Sequence, residues 1–148
     1  MNLSGLLHVN INCSNFERSR EFYEMLGYQL LMPVPERGEG DVAAAVGMHE
    51  YTVRGALMKH RDGSVIDLLE WREPADDSAP YAALNHLGLA RLAFRTSDID
   101  ADIVQLRAAG VEFLSSGPGE VAGPRGMATR FICFSDPDGT ILELVEMP

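Results

Sequence analysis

The sequence predicts an α+β fold made from two copies of one unit: a strand, a helix and about three further strands. Three observations carry this reading. The stretch Asp62-Gly63-Ser64-Val65-Ile66-Asp67-Leu68-Leu69-Glu70 returns as Asp138-Gly139-Thr140-Ile141-Leu142-Glu143-Leu144-Val145-Glu146, each copy an Asp-Gly turn, an apolar strand and a carboxylate at the same step after the glycine. The spacing from His8 to Gly27 equals that from Arg91 to Gly110, with Ser14 matching Ser97, Phe16 matching Ile99 and Leu26 matching Ala109. In each copy a stretch of period two passes into one of helical period, as when a strand runs into a helix that covers one face of a sheet. Two copies of one supersecondary unit mean two similar half-sheets, and the matched carboxylates Asp67 and Glu143 mark where the halves jointly build a site. With the helix on one face, the other face of each half-sheet curves around open space.

The elements follow in order. Leu7-His8-Val9-Asn10-Ile11-Asn12-Cys13 alternates strictly, sending Leu7, Val9, Ile11 and Cys13 to one face and His8, Asn10 and Asn12 to the other. Ser14-x-x-Glu17 reads as a capping box, with Phe16, Tyr23 and Leu26 at helical spacing until Gly27 ends the helix. Tyr28 to Val34 is the next strand, and Pro33, Pro35, Gly38 and Gly40 make a loop. Asp41 to Gly47 and Tyr51 to Lys59 read as strands, and Asp62-Gly63 turns into the strand Ser64 to Trp71. Between Arg72 and Asn85 the composition shifts to Pro74, Asp76, Asp77, Ser78 and Pro80, a linker. The second copy opens with Leu89 to Arg95, where Ala90, Leu92 and Phe94 alternate against Arg91, Ala93 and Arg95. Its helix is capped by Ser97-x-x-Asp100 and runs through Ile99, Ile103 and Leu106 to Gly110. Val111 to Leu114 is a short strand, Ser115 to Gly126 a Gly/Pro-rich loop, and strands near Thr129 to Ser135 and Thr140 to Glu146 close the copy. The organisation is one structural unit over residues 1–148, with module one at about 5–73, a linker at about 74–87 and module two at about 88–148.

At 148 residues and 46% hydrophobic, the chain is long enough for one core or for two small modules. It has no apolar run of membrane-spanning length and no secretory leader, so a cytoplasmic protein is expected. A net charge of −10 argues against nucleic acid and anionic membranes, both of which are held mainly by Lys and Arg. Cys13 and Cys133 lie in apolar runs without metal or redox spacing and read as core thiols. No Gly-rich phosphate loop and no Ser/His/Asp triad pattern is present.

This order of elements, together with "EFYEMLGYQL", "TSDIDADIVQLRAAGVEFL" and "DPDGTILELVE", resembles the vicinal oxygen chelate superfamily, which includes glyoxalase I, methylmalonyl-CoA epimerase, extradiol dioxygenases and bleomycin-resistance proteins. The resemblance implies two βαβββ modules forming a cupped mixed sheet with helices on the outer face, paired within one chain or between the chains of a homodimer. It also implies a divalent metal held by one residue from each of four strands. Carried over position by position, those residues are His8, Asp67, Arg91 and Glu143. Three fit a tentative metal site, His8, Asp67 and Glu143, with Zn, Ni, Mn or Fe as the ion. Arg91 does not fit, because a guanidinium has no lone pair to offer and keeps its proton. A fixed positive charge about 5 Å from a divalent ion, at an effective dielectric near 20, is repelled by roughly 7 kcal/mol. Two carboxylates about 4 Å apart with no cation repel by about 4 kcal/mol in the same medium. Two readings therefore stand: Arg91 replaces the metal as counter-ion with no tightly bound cofactor, or His8, Asp67 and Glu143 form a weaker three-ligand metal site. His86 is a distant candidate for the fourth ligand.

Around these positions Asn10, Asn12 and Arg95 share the proposed inner face and are expected to bind substrate. Glu70 and Glu146 fall on the opposite face from Asp67 and Glu143 or past the strand ends, and read as solvated, and His49 and His60 read as surface residues. Trp71, Phe22, Tyr23 and the methionines read as core or pocket wall. The registers of Arg54 and Arg130 are open. Two functions follow. In the first, the chain is a glyoxalase-like isomerase or lyase in which Glu143 removes a proton next to a carbonyl while Arg91 or a metal stabilises the oxyanion. In the second, it is a non-catalytic binder of the bleomycin-resistance type that holds a drug or metabolite, an anionic one included. The departure at Arg91 argues against ordinary glyoxalase I and against extradiol dioxygenase chemistry, which needs two His and one carboxylate on iron.

Overall fold

The computed structural model describes residues 2–81, 83–123 and 126–148. The chain divides into two compact units, the first ending at Ser78 and the second beginning at Ala79.

In the first unit β1 (Val9–Asn12), α1 (Phe16–Met25), β2 (Tyr28–Pro33), β3 (Arg37–Glu39), α2 (Asp41–Ala45), β4 (Glu50–His60) and β5 (Val65–Glu73) follow one another. Their sheet runs β1-β5-β4-β2, with β3 also on β4; β1 is parallel to β5 and β4 antiparallel to it. The second unit holds β6 (Leu92–Thr96), α3 (Ile99–Ala108), β7 (Gly119–Ala122), β8 (Ala128–Ser135) and β9 (Ile141–Glu146), in the order β6-β9-β8-β7 with β6 parallel to β9. The duplication seen in the sequence is thus a duplication of topology. Asn10 stands opposite Asp67 as Ala93 stands opposite Glu143, and Leu57 opposite Asp67 as Cys133 opposite Glu143.

Period two sorts each strand into a helix-covered face and an open face. In the first unit Ile11, Ala56, Met58, Ile66 and Leu68 are buried on the α1 side with Phe16, Phe22 and Tyr23. Phe22 and Tyr23 meet edge to face at 5.3 Å, a favoured aromatic geometry. In the second, Ile132, Phe134, Leu142 and Leu144 are buried with Ile99, Ile103 and Leu106 of α3. Cys13 and Cys133 are buried and form no disulfide; Cys13 shares the parity of Ile11, whereas Cys133 lies on the open face rather than in the helix-covered core.

Several local assignments change. The helix caps are Asn15 and Asp98, one residue after Ser14 and Ser97, and their side chains accept from the N–H of Arg18 and Ala101. Ser14 instead accepts a hydrogen bond from the Arg18 guanidinium at 3.0 Å. The stretch expected as a strand at 41–47 is the helix α2: three consecutive alanines favour helix, Asp41 suits its first turn, and Gly47 at φ +76° ends it. Val111 to Leu114 makes only an isolated bridge, Phe113 to Phe134, and the expected loop at 115–126 contains β7. Positions 124 and 125 of that loop and position 82 of the linker lie outside the described residues.

Glu70 and Glu146 are on the helix-covered face as parity requires, yet they are not simply solvated. Glu70 Oε2 accepts from the N–H of Phe16 at 3.0 Å, and Glu146 Oε1 from the N–H of Ile99 at 3.1 Å. Each carboxylate thus satisfies the first free donor of its unit's helix, where a negative charge also meets the positive end of the helix dipole. The registers of Arg54 and Arg130 resolve with them: Arg54 stands opposite Glu70 and Arg130 opposite Glu146. Arg54 pairs with Glu17, and Arg130 grips Asp100 through two bonds of 2.8 Å, holding the Asp100 carboxyl below its usual range. The same clamp at a helix start is built twice.

Candidate functional site

The open face of the first unit takes alternate residues of β1 and β5. Asn10 Nδ2 donates to Asp67 Oδ2 at 3.0 Å, while Asp67 Oδ1 is buried with no hydrogen-bond partner among the described residues. Burial pushes the Asp67 carboxyl above its ordinary value of 3.8, and attraction to His8 and the bond from Asn10 act the other way. His8 itself is half-buried and sits one residue before β1. Further along the face the indole N–H of Trp71 donates to Asn12 Oδ1 at 2.9 Å, and Tyr51 meets Trp71 edge-on at 5.2 Å. Gly38 makes room for Tyr51, since a Cβ there would lie 2.3 Å from its ring.

The raised carboxyl has a consequence for stability. A group that holds its proton more tightly when folded makes the folded state less favoured as pH rises from the unfolded value through the folded one. The orphan oxygen adds a desolvation cost of about 1–3 kcal/mol, at the low end here because Asp67 is only half-buried. Asp67→Asn removes the charge but leaves a polar atom at the orphan position, so it is expected to stabilise the protein modestly, by under about 1 kcal/mol, at pH 7, with no gain at pH 3. Thermal melts across that range test it; an equal gain at both pH values would assign the effect to something other than the charge.

On the second unit's open face Arg91 Nε meets Glu143 Oε2 at 3.1 Å and Cys133 Sγ donates to Glu143 Oε1 at 3.8 Å. Glu143 is 7% exposed. Both of its oxygens are therefore engaged. Burial, then the Glu143 charge, push the Cys133 thiol up, with Arg91 opposing. Arg91 sits one residue before β6, as His8 does before β1, and keeps 40% of its side chain exposed. Arg95, two steps further on the same face, is exposed and has no hydrogen bond or ion pair among the described residues.

The structure thus brings His8, Asn10 and Asp67 together in one unit, with Asn12 tied to Trp71, and Arg91 with Glu143 in the other. His86 lies outside any strand, stacked on Tyr81 at 4.5 Å, with its Nδ1 on the Leu87 carbonyl. Sequence reasoning missed Cys133 as a partner of Glu143 and Tyr51 as a partner of Trp71. Both follow only from the antiparallel registers Cys133 to Glu143 and Val53 to Trp71, which periodicity does not specify.

The divalent ion implied by the resemblance does not fit these residues. Glu143 already carries a permanent cation on one oxygen, and an ion beside that guanidinium would be repelled by several kcal/mol. Among the described residues, no three His, Cys, Asp or Glu side chains are grouped as a metal requires. No described helix is long and apolar enough to cross a membrane.

Comparison with known proteins agrees with the geometry. The chain is 29% identical to the uncharacterised protein YwkD of Bacillus subtilis over 148 residues, covering 99% of each chain. A crystal structure of a glyoxalase family protein from Bacillus cereus matches with a TM-score of 0.81 at 24% identity, over 99% of this chain and 96% of that one. The antibiotic-binding protein TnmS3 of a Streptomyces species matches at 0.63 and 24% identity, over 100% and 99%. The model of the glyoxalase/bleomycin resistance protein/dioxygenase superfamily matches residues 5–144, and with that match the duplicated strand-helix-strand units have their family: this chain belongs to that superfamily.

Proposed function

We propose that this protein binds a small molecule on its open sheet faces, with Arg91 taking the place of the superfamily's divalent ion as counter-ion to Glu143. The observation that carries this reading is the double engagement of Glu143, by Arg91 at 3.1 Å and by Cys133 at 3.8 Å. A general base needs a lone pair aimed at substrate and within hydrogen-bond reach of the proton it removes. Glu143 is 7% exposed with its two oxygens turned to Arg91 and Cys133, which leaves a substrate little access to it and weighs against the isomerase or lyase reading that assigns it proton abstraction. The shared fold of TnmS3, described as an antibiotic-binding protein, supports the binding reading. A homodimer in the cytoplasm remains part of the proposal, by analogy with the family.

The test is a thermal-shift and calorimetric screen of carbonyl compounds, aromatic drugs and small acids, run on the parent and on Glu143→Gln. The parent is expected to contain no stoichiometric metal when purified without chelator. It is expected to bind at least one compound without turnover, and Glu143→Gln to keep that affinity within about threefold. Stoichiometric Zn, Ni, Mn or Fe in the parent would overturn the counter-ion reading. Turnover that vanishes in Glu143→Gln while binding persists would restore the enzyme.

A further inference from the structure

Resting on that reading, we infer that the second unit's open face is a receptor for an organic anion, a carboxylate or phosphate monoester carrying an apolar body, held by Arg91 and Arg95. Arg91, one residue before β6, and Arg95 on it flank Ala93, so their side chains leave the same face about 13 Å apart along the strand, with only a methyl group between them. Glu143 takes the Nε edge of Arg91 at 3.1 Å. That anchors the guanidinium while its terminal nitrogens make no further bond among the described residues and 40% of the side chain stays exposed. Arg95 has no protein partner among the described residues, in a chain with 22 acidic residues against 12 basic ones. Arginine forks match carboxylate and phosphate oxygens in pairs, which a point-charge ammonium does not.

The surroundings fit the same ligand. On the strands of this unit the open-face positions of β8 and β9 beside the arginines are Phe131, Cys133, Glu143 and Val145, with Val145 opposite Arg95 and Phe131 opposite Val145. The other acidic strand residues, Glu120 and Glu146, both stand opposite Arg130 and so project from the helix-covered face. Among its strand residues and Arg91 the face thus carries two fixed positive charges against one carboxylate, with an aromatic and a branched side chain alongside. An anion gains there from both charges, and its apolar body from the burial of Phe131 and Val145.

The probes are phenyl phosphate, benzoate, inorganic phosphate, and benzamide as a neutral isostere of benzoate, titrated calorimetrically into the full chain at low and moderate salt. Phenyl phosphate is expected to bind more tightly than inorganic phosphate, with affinity falling as salt rises, and benzamide at least tenfold more weakly than benzoate. Arg95→Gln is expected to weaken phenyl phosphate at least tenfold with no change in Tm, because the residue is exposed and unpaired. Arg95→Lys is expected to recover only part of the loss. Compounds from the wider screen that bind indifferently to charge and to Arg95→Gln would overturn the anion receptor and leave small-molecule binding standing. A screen in which nothing binds would overturn both.

Discussion

Phe134→Ala is expected to lower the unfolding free energy by about 4 kcal/mol, the largest single loss foreseen here. Phe134 is fully buried on the helix-covered face of β8, and its ring lies 5.7 Å from that of Phe113. Truncation removes the burial of an aromatic side chain and leaves a cavity beside Phe113 that neighbours fill only in part. In a domain of this size that corresponds to roughly 10 °C in Tm. The adjacent residue, Cys133, points to the other face and onto Glu143, so the ion pair is not touched. Urea denaturation measures the loss, and calorimetry with phenyl phosphate well below the new midpoint is expected to find the parent's affinity. A loss under about 1.5 kcal/mol would mean that this packed face does not hold the second unit together.

Arg91→Ala is expected to be the most damaging change at the open face, at about 2 kcal/mol. Removing one partner of a fully buried ion pair costs about 3–5 kcal/mol because the other charge stays desolvated; the value is smaller here since Arg91 is 40% exposed and water screens part of the interaction. The double variant Arg91→Ala/Glu143→Gln separates the two contributions. If the cost is the stranded carboxylate, removing its charge restores most of the stability, and the cycle shows a coupling of about 1 kcal/mol or more. Additive effects would mean that the pair is incidental. Anion binding is lost in both variants, so stability and recognition are read separately.

The architecture was legible because it rests on local pattern. The alternation of Ile11 with Asn10 and Asn12, the helical spacing of Ile99, Ile103 and Leu106, and the two Asp-Gly turns each lie within a dozen residues of chain. The misplacements were local as well. Ser14 and Ser97 and their followers, Asn15 and Asp98, all cap well, and only the backbone path chooses between neighbours. At 41–47 apolar content suggested a strand where the alanine run makes a helix.

The side-chain partners behaved differently. Parity offered the correct face for Glu70 and Glu146, beside a position past the strand ends, and missed their role, because the donors they satisfy, on Phe16 and Ile99, are 54 and 47 residues away. Parity likewise placed Asp67 and Glu143 at equivalent steps and suggested equivalent tasks. Yet one has a buried oxygen without a donor, while the other is held by a guanidinium and a thiol. The sequence by itself determined the duplicated unit and the sidedness of its strands, since both follow from the two- and 3.6-residue repeats of the backbone. Tertiary structure alone decided what each carboxylate touches, because strand register and side-chain reach bring together groups that no repeat in the chain connects.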